Sequence, residues 1–431
     1  MLKKISVADV ELGMFIHKLE GNWFKHPFWK SRFLLEDPQT LSSLQMSDVP
    51  AVVIDTTRGY DVRPLPHRAK SAAPPPAGPA LRARIARDSR PAPGLAASGA
   101  SPTGLRSTAP LGMAREFGNA RQVERNSRKM ISRVFLEARL GKTFDSSQVE
   151  PVVEDIFASI QRNPHAFNGL MRCRNENEYT FRHALAVSAL MVSLGRQMKL
   201  GPQQIREAGL VGLLMDVGAG LLPVDLSQMG GDFRRVDPAI LRQHVQLGHD
   251  FLEAAGDIPD EVLRACREHH ERIDGAGYPA GLCGEEISLL ARMAAICDAY
   301  DELVADGIDQ RGSDPAWALR HMGEDAGRFD QEILQRFIDA MGVYPIGSFV
   351  RLRSERLAMV IDEDAADYSR PKVRTFYSLR LDKRIKSETI ALARCYGEDE
   401  IVGLADLAGI ELAELRKLRE SLFQAACKSD T

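Results

Sequence analysis

The sequence predicts a mainly α-helical protein: a helical bundle core with a small N-terminal β-containing domain before it and a small C-terminal sheet plus helices after it. Three observations carry that expectation. From about residue 113 to 341, apolar side chains recur at three- and four-residue spacing, as on helices that bury one face. Short runs at 13–17 and 51–55, and again at 344–353, 357–361 and 373–379, are rich in β-branched and aromatic residues and are bounded by turn formers, as strands are. Between the first strands and the helices, residues 64–110 turn to Pro, Ala, Gly, Ser and Arg, with Asp88 as their sole acid. Such a composition cannot bury enough apolar surface to offset its ordering entropy.

A chain of 431 residues is too long for one ordinary core and implies two or three domains. The net charge of −3 shows no basic excess, so nucleic acid is not an expected partner. The six cysteines form no Cys-x-x-Cys pair and read as reduced thiols. The start, Met-Leu-Lys-Lys, lacks the apolar run of a signal peptide, and the longest apolar stretch, near 210–215, is too short to span a bilayer about 30 Å thick. A cytoplasmic protein without a transmembrane segment is expected.

Taken in order, residues 1–63 are expected to form a small α+β domain. Its crowd of Trp23, Phe24, Phe28, Trp29 and Phe33 more often supplies a core than a ligand surface in so small a unit. Residues 64–112 are expected to be a disordered linker, its Arg82, Arg84, Arg87 and Arg90 solvated for want of interleaved aromatics. Residues 113–165 read as a helical connector with Met130, Ile131, Val134, Phe135 and Ala138 on one face. Whether it packs on the core or builds a homodimer, the sequence leaves open. A helical domain follows over 166–343, and then strands and a helix pair over 344–431, the pair carrying Leu404, Leu407, Leu412 and Leu415.

Within the helical domain, polar residues with metal-ligand chemistry fall on inward faces or at helix ends. His183 shares a stripe with Ala186, Val187 and Leu190. A helix over about 202–215 runs into Asp216, with Gly218 and Gly220 just beyond, where a chain stops and a carboxylate becomes accessible. Asp237 before Pro238 is an N-cap with proline at the first helical position, and the helix it opens sets His244 among Ile240, Leu241, Leu247 and Phe251. A helix with Val262, Leu263 and Cys266 on its apolar side closes at His269 and His270 and delivers both imidazoles to a glycine-rich turn, Asp-Gly-Ala-Gly-Tyr-Pro at 274–279. A helix over about 288–304 aligns Asp298 with Ala291, Ala294 and Ala295. A lone inward histidine is usually a satisfied core residue. Histidines and carboxylates turned inward on five successive helices would be costly to bury without a compensating cation.

This series, and above all His269-His270-Glu271 followed by the Gly-Tyr-Pro turn, resembles the HD-GYP family, the cyclic di-GMP phosphodiesterase branch of the HD metal-dependent phosphohydrolases. The resemblance covers about residues 170–355, and residues 7–14 resemble more briefly the domain of unknown function that often precedes that domain. It implies an HD-type helical bundle that binds cyclic di-GMP, with GGDEF-domain proteins, the diguanylate cyclases, as partners. It implies one or two divalent ions held by His183, Asp216, His244, His269, His270 and Asp298, with Asp216 as the catalytic bridge between them. Mixed imidazole and carboxylate donors suit iron or manganese. Gly275, Gly277, Tyr278 and Pro279 take substrate-binding roles by the same resemblance.

The chain departs from the family pattern where charge and ligation matter. Met215 stands where the family has the histidine before the bridging aspartate, and a thioether is a poor ligand for a hard ion. Ala219 replaces a lysine, and the usual arginine position falls at or near Gly307. Tyr179 occupies the position of a glutamate found in trinuclear members, so a third metal is not expected. The expectation is a degenerate di-metal site that binds cyclic di-GMP or a cyclase partner with little turnover. The alternative is an active phosphodiesterase hydrolysing cyclic di-GMP to pGpG or GMP.

Overall fold

The computed structural model describes residues 2–20, 33–35, 41, 45, 51–60, 108–142, 144–173, 179–325, 327–364, 367, 369–395, 399–407 and 409–428. The expected linker up to residue 107 lies outside the described residues, as do Trp23, Phe24, Phe28 and Trp29. Two compact units divide the chain, Met1–Thr103 and Gly104–Thr431.

In the first unit, strands β1 (Leu2–Ser6), β2 (Phe15–Glu20), β3 (Phe33–Leu34) and β4 (Ala51–Asp55) form an antiparallel sheet in the order β1-β4-β2-β3. Alternation puts Val52 and Ile54 of β4 inward, where they meet Ile5, Val10, Met14, Ile16 and Leu35. Aliphatic side chains thus supply the described part of this core.

The second unit is mainly helical. Helix α1 (Met113–Arg139) packs on α2 (Glu150–Arg162), α3 (Ala166–Cys173) and α4 (Tyr179–Gln197), so the connector lies on the helical body of its own chain. Its apolar stripe includes Ala120, Val123, Ile131, Val134 and Ala138. Within that contact Glu116 is wholly buried, and its two oxygens accept Arg162 Nε at 2.6 Å, Arg162 Nη2 at 2.9 Å and Ser159 Oγ at 2.6 Å. α4 and α5 (Pro202–Leu214) pack along each other, and α9 (Leu289–Val304) packs on both.

The helix expected after Asp237 is present but interrupted. Asp237 caps α6 (Pro238–Leu241) through Ala239 N, and the chain restarts at α7 (Gln243–Glu253), with Arg242 at the break. Helix α8 (Asp260–Glu268) ends at His269, and α10 (Pro315–Glu324) and α11 (Gln331–Met341) complete the bundle.

The C-terminal sheet runs β10-β5-β6-β7-β8, with β9 also paired to β7, from β5 (Phe349–Leu352), β6 (Arg356–Asp362), β7 (Lys372–Ser378), β8 (Lys383–Arg384), β9 (Thr389–Ala391) and β10 (Ile401–Leu404). The expected helix pair is corrected here: Leu404 lies on β10, antiparallel to β5, and a single helix, α12 (Leu412–Lys428), follows. The open edge of β5 captures residues 401–404 through backbone hydrogen bonds, with a register shift between Ile401 and Gly403 that hides the strand's alternation. Helix α12 packs back on the body: Phe423 meets Phe117 edge-on at 5.3 Å, and Arg419 Nη1 binds Asp306 Oδ2 at 2.8 Å. Among the described residues no helix is long and apolar enough to cross a membrane.

Breaking a buried ion pair from one side strands the other charge, typically at about 3–5 kcal/mol. Glu116→Leu is therefore expected to lower unfolding stability by about 3 kcal/mol, read by denaturant melts, while an exposed control such as Glu150→Leu changes it little.

Candidate metal and ligand site

The site is assembled by the close approach of a turn to a helix. Beyond α5, Met215 caps the helix and Asp216 opens a 3-10 turn, Val217–Leu221, that lies on α7. A Cβ on Gly218 would stand 2.0 Å from the His244 carbonyl oxygen and 2.5 Å from Gly248 N, so only glycine allows that contact. It sets Asp216 opposite His244, with Oδ1 3.3 Å from the imidazole Nε2. His183 on α4 approaches the same carboxylate from the other side, its Nε2 3.2 Å from Asp216 Oδ2 and 3.1 Å from Asp298 Oδ1 of α9. His269 Nε2 lies 3.7 Å from Asp216 Oδ1, and His270 Nδ1 3.8 Å from Asp298 Oδ2.

The six expected metal ligands therefore converge. Their donor atoms form two groups sharing Asp216: His183, Asp216 and Asp298 in one, and Asp216, His244, His269 and His270 in the other. Adjacent helix-end residues reach the centre along different lines, and the rings of His269 and His270 lie 4.1 Å apart at 42°. Only His270 of the six keeps appreciable exposure, 20% of its side chain, which marks the open side.

A second layer fixes the imidazoles. Nδ1 of His244 donates to the Leu241 carbonyl at 2.5 Å, Nδ1 of His269 to the Cys266 carbonyl at 2.7 Å, and Nδ1 of His183 to Asp301 Oδ2 at 2.8 Å. Each Nε2 is thereby turned to the centre, as in metal-binding histidines. Asp301 carried no role in the sequence reading, although its three-residue spacing from Asp298 on one helix was a usable signal.

The donor set fits a bound cation. His244 Nε2 and His269 Nε2 face each other at 3.4 Å with both Nδ1 atoms already donating, so their lone pairs oppose unless a positive charge lies between. His183 Nε2 and Asp216 Oδ2 are buried without a hydrogen-bond partner, close together but misaligned for one another. Burial works against the charge of Asp216, yet His183, His244 and His269 together hold its carboxyl well below the usual range. His270 is pushed well below its usual value by burial and by the neighbouring His269 and His244, leaving it neutral as a ligand must be. Glu302, one residue after Asp301, is raised to about 8 by burial and by Asp298.

The loop after the histidine pair is braced from within. Glu271 is buried and accepts Ala280 N at 2.7 Å, Gly281 N at 3.1 Å and Leu282 N at 3.1 Å, closing residues 271–282 on themselves. Gly277 packs so tightly on this turn that a Cβ would stand 2.4 Å from Arg272 N. From outside, Asp274 N and Ile273 N donate to the carbonyls of Gly327 and Arg328 at 3.0 and 3.3 Å. Tyr278, joined to Pro279 by a cis peptide, stacks on His270 with ring centroids 4.8 Å apart. Of the expected substrate-binding residues, Tyr278 alone adjoins the donor cluster through a described contact. Gly275 and Gly277 shape the turn, and Pro279 lines a separate groove of about 420 Å³ with His249, Leu263 and Arg267.

The positions at which the chain departs from the family pattern lie together. Tyr179 stacks on His183, ring centroids 5.3 Å apart at 15°, and Phe233 meets both rings edge-on. Tyr179, Phe233, Ala219, Leu222, Val236 and Ala305 form one buried apolar cluster. Arg234 lies over Tyr179 at 3.9 Å, locked by Asp232 and the carbonyls of Glu302 and Ala305, and a Cβ on Gly307 would stand 3.0 Å from its Nη2. The flank of His183 is thus closed by an apolar plug, and Met215 is itself buried.

Comparison with known proteins agrees with the geometry. Residues 158–333 match the HD domain, and residues 2–149 match a domain of unknown function, DUF3391. The chain is 37% identical over 404 residues to a cyclic di-GMP phosphodiesterase of Pseudomonas aeruginosa, covering 94% of this chain and 92% of that protein. It is 22% identical over 196 residues to the cyclic di-GMP phosphodiesterase PdeB of Borreliella burgdorferi, covering 45% of this chain and 52% of that protein. Over 128 residues it is 28% identical to a 3'3'-cGAMP-specific phosphodiesterase of Vibrio cholerae, covering 30% of each. With a relationship that runs nearly end to end and an HD-type donor cluster at its centre, the chain belongs to the HD-GYP family of metal-dependent HD-domain proteins.

Proposed function

We propose that this protein acts in cyclic di-GMP signalling by binding the dinucleotide at a reduced metal centre, with little turnover. The observation that carries the reading is the asymmetry of the site. Asp216, His244, His269 and His270 offer four donors on the side that reaches solvent through His270, whereas His183, Asp216 and Asp298 offer three behind the apolar plug.

Residues of both groups would hold divalent metal, iron or manganese by donor chemistry, with Asp216 as the shared carboxylate. When bound, such ions supply Lewis acidity and a water of lowered pKa. The chain's own contribution is orientation. Asp301 and the carbonyls of Leu241 and Cys266 aim three imidazoles inward, and the Glu271-braced loop fixes Tyr278 beside His270. The loop tip, with Asp274, Ala276, Pro279 and Ala280 exposed, is the surface offered to a diguanylate cyclase domain.

The competing reading is an active phosphodiesterase, and one observation favours it: three donors remain on the His183 side in a chain closely related over its length to a protein named for that activity. Elemental analysis after expression with iron and manganese decides the ligation. Nearer one metal per chain than two is expected, with Met215→His raising the ratio; two tightly held metals in the unmodified protein would overturn the assignment.

Hydrolysis assays decide the turnover. Loss of one organising group typically costs about 10²–10³ in rate, so the unmodified protein is expected to bind cyclic di-GMP yet cleave it about a hundredfold more slowly than Met215→His. Equal and rapid cleavage by both would establish the enzyme reading instead. A third variant tests the assembly of the site: Gly218→Ala forces the turn off α7 and is expected to lower metal content severalfold while the far-ultraviolet dichroism stays near native.

A further inference from the structure

Two arginines stand at the rim of this site with no carboxylate paired to them among the described residues. Arg242, exposed in the break between α6 and α7 and two residues before His244, places its guanidinium carbon 4.9 Å from the centroid of the Tyr278 ring. That ring in turn stacks on His270. Arg328 sits in the strap that pairs with the loop, its carbonyl accepting from Ile273 N. Its guanidinium carbon lies over the neighbouring Phe329 ring, 5.0 Å from the centroid. Among the described residues neither arginine forms an ion pair. Two neighbouring arginines are spent, Arg234 on Asp232 and Arg272 on Asp274, each through two hydrogen bonds.

We propose that Arg242 and Arg328 form an anion site on the rim of the donor cluster that takes the phosphodiester of a cyclic dinucleotide left free by the metal donors. This deepens the proposed function and rests on it. A cyclic dinucleotide carries two phosphodiester anions, and one set of metal donors engages only one of them. The second needs a cation of its own, and the positions where the family resemblance implies a lysine and an arginine hold none here: Ala219 is buried in the plug, and the space beside Gly307 is taken by the neutralised Arg234. A guanidinium lying over an aromatic face keeps its N–H edges free for in-plane bonds to phosphate oxygens, and Arg242 over Tyr278 has that arrangement. The positive charge missing from the floor of the site is restored at its mouth by residues of two other turns.

Calorimetric titration with cyclic di-GMP, and separately with cyclic GMP-AMP, tests this on the full chain. The proteins compared are the unmodified chain, Arg242→Gln, Arg328→Gln, the double variant, and Arg242→Lys, each with its melting temperature recorded. Each single Gln change is expected to weaken binding about tenfold and the double change more, with Lys recovering part of the loss and the melting temperatures unchanged. The charge role has a further signature that a packing role lacks. Between about 0.01 and 1 M salt the screening length falls from roughly 30 Å to 3 Å, so affinity of the unmodified protein should fall steeply across that range and that of the double variant only weakly. Strong binding by the unmodified protein that ignores both arginines overturns the inference and leaves the proposed function standing. Arginine-dependent binding of cyclic GMP-AMP alone upholds the anion site and corrects the ligand. No binding of either dinucleotide by the unmodified protein overturns both.

Discussion

A buried carboxylate stays charged only where opposite charge or donors surround it, and the organisation of this domain follows from how Asp216 meets that condition. It is 4% exposed, and three imidazoles from three helices reach within 3.7 Å of its oxygens. Burial alone would neutralise the acid. Holding it ionised requires α4, α7 and the end of α8 to keep their positions together, and the contact of Gly218 with α7 makes that convergence geometrically available. The same convergence makes the site a natural cation holder, because a cation between these Nε2 atoms and the carboxylate would take the place of the imidazole protons that otherwise hold the acid ionised. Stability of the bundle and affinity for metal are two readings of one set of contacts.

The exchanges around His183 make sense as a group. Tyr179 and Ala219 would each look like an isolated departure on the sequence, but they pack in one cluster with Phe233 and Ala305, and Tyr179 stacks on the histidine itself. A large aromatic at 179 fills space, a small residue at 219 makes room, and Arg234 caps the stack over Tyr179 with its charge cancelled by Asp232. Such mutual compensation is what close packing demands, since a charged lysine in that apolar cluster would carry a large desolvation cost. It also means that reversing one position alone, Ala219→Lys for instance, meets a filled pocket.

The convergence of the expected ligands was foreshadowed in the sequence because each sits on a strongly patterned element. The inward stripe around His183, the glycines after Asp216 and the capped helix before His244 all report local physics, and local physics survives in a linear string. The convergence of Arg242 and Arg328 on the loop could not be read, since they come from turns 86 positions apart and neither belongs to a periodic pattern. Strand β10 was missed for a related reason: four residues with an irregular register at Gly403 carry no usable alternation, and their conformation is imposed by the free edge of β5. Asp301 was visible as a letter but not as a partner, because what it does depends on which nitrogen of His183 faces it.

The proposed function separates holding a ligand from cleaving it, and that separation would have a physical basis. Cleavage asks for a full set of donors around both ions at the floor, where Met215 and the plug stand, and one missing donor there weakens the stabilisation of developing charge when it is most needed. Holding asks only for a rigid rim of fitting charge and shape. Rigidity is present: Glu271 gathers three backbone donors of the loop, the 327–328 strap pins it from outside, and Tyr278 lies flat on His270. A preorganised rim loses little freedom on binding, so affinity does not have to fall when the floor is altered. On the proposed reading, substitutions that close the His183 flank act on the chemistry before they act on recognition, the order in which an enzyme site would become a sensor site.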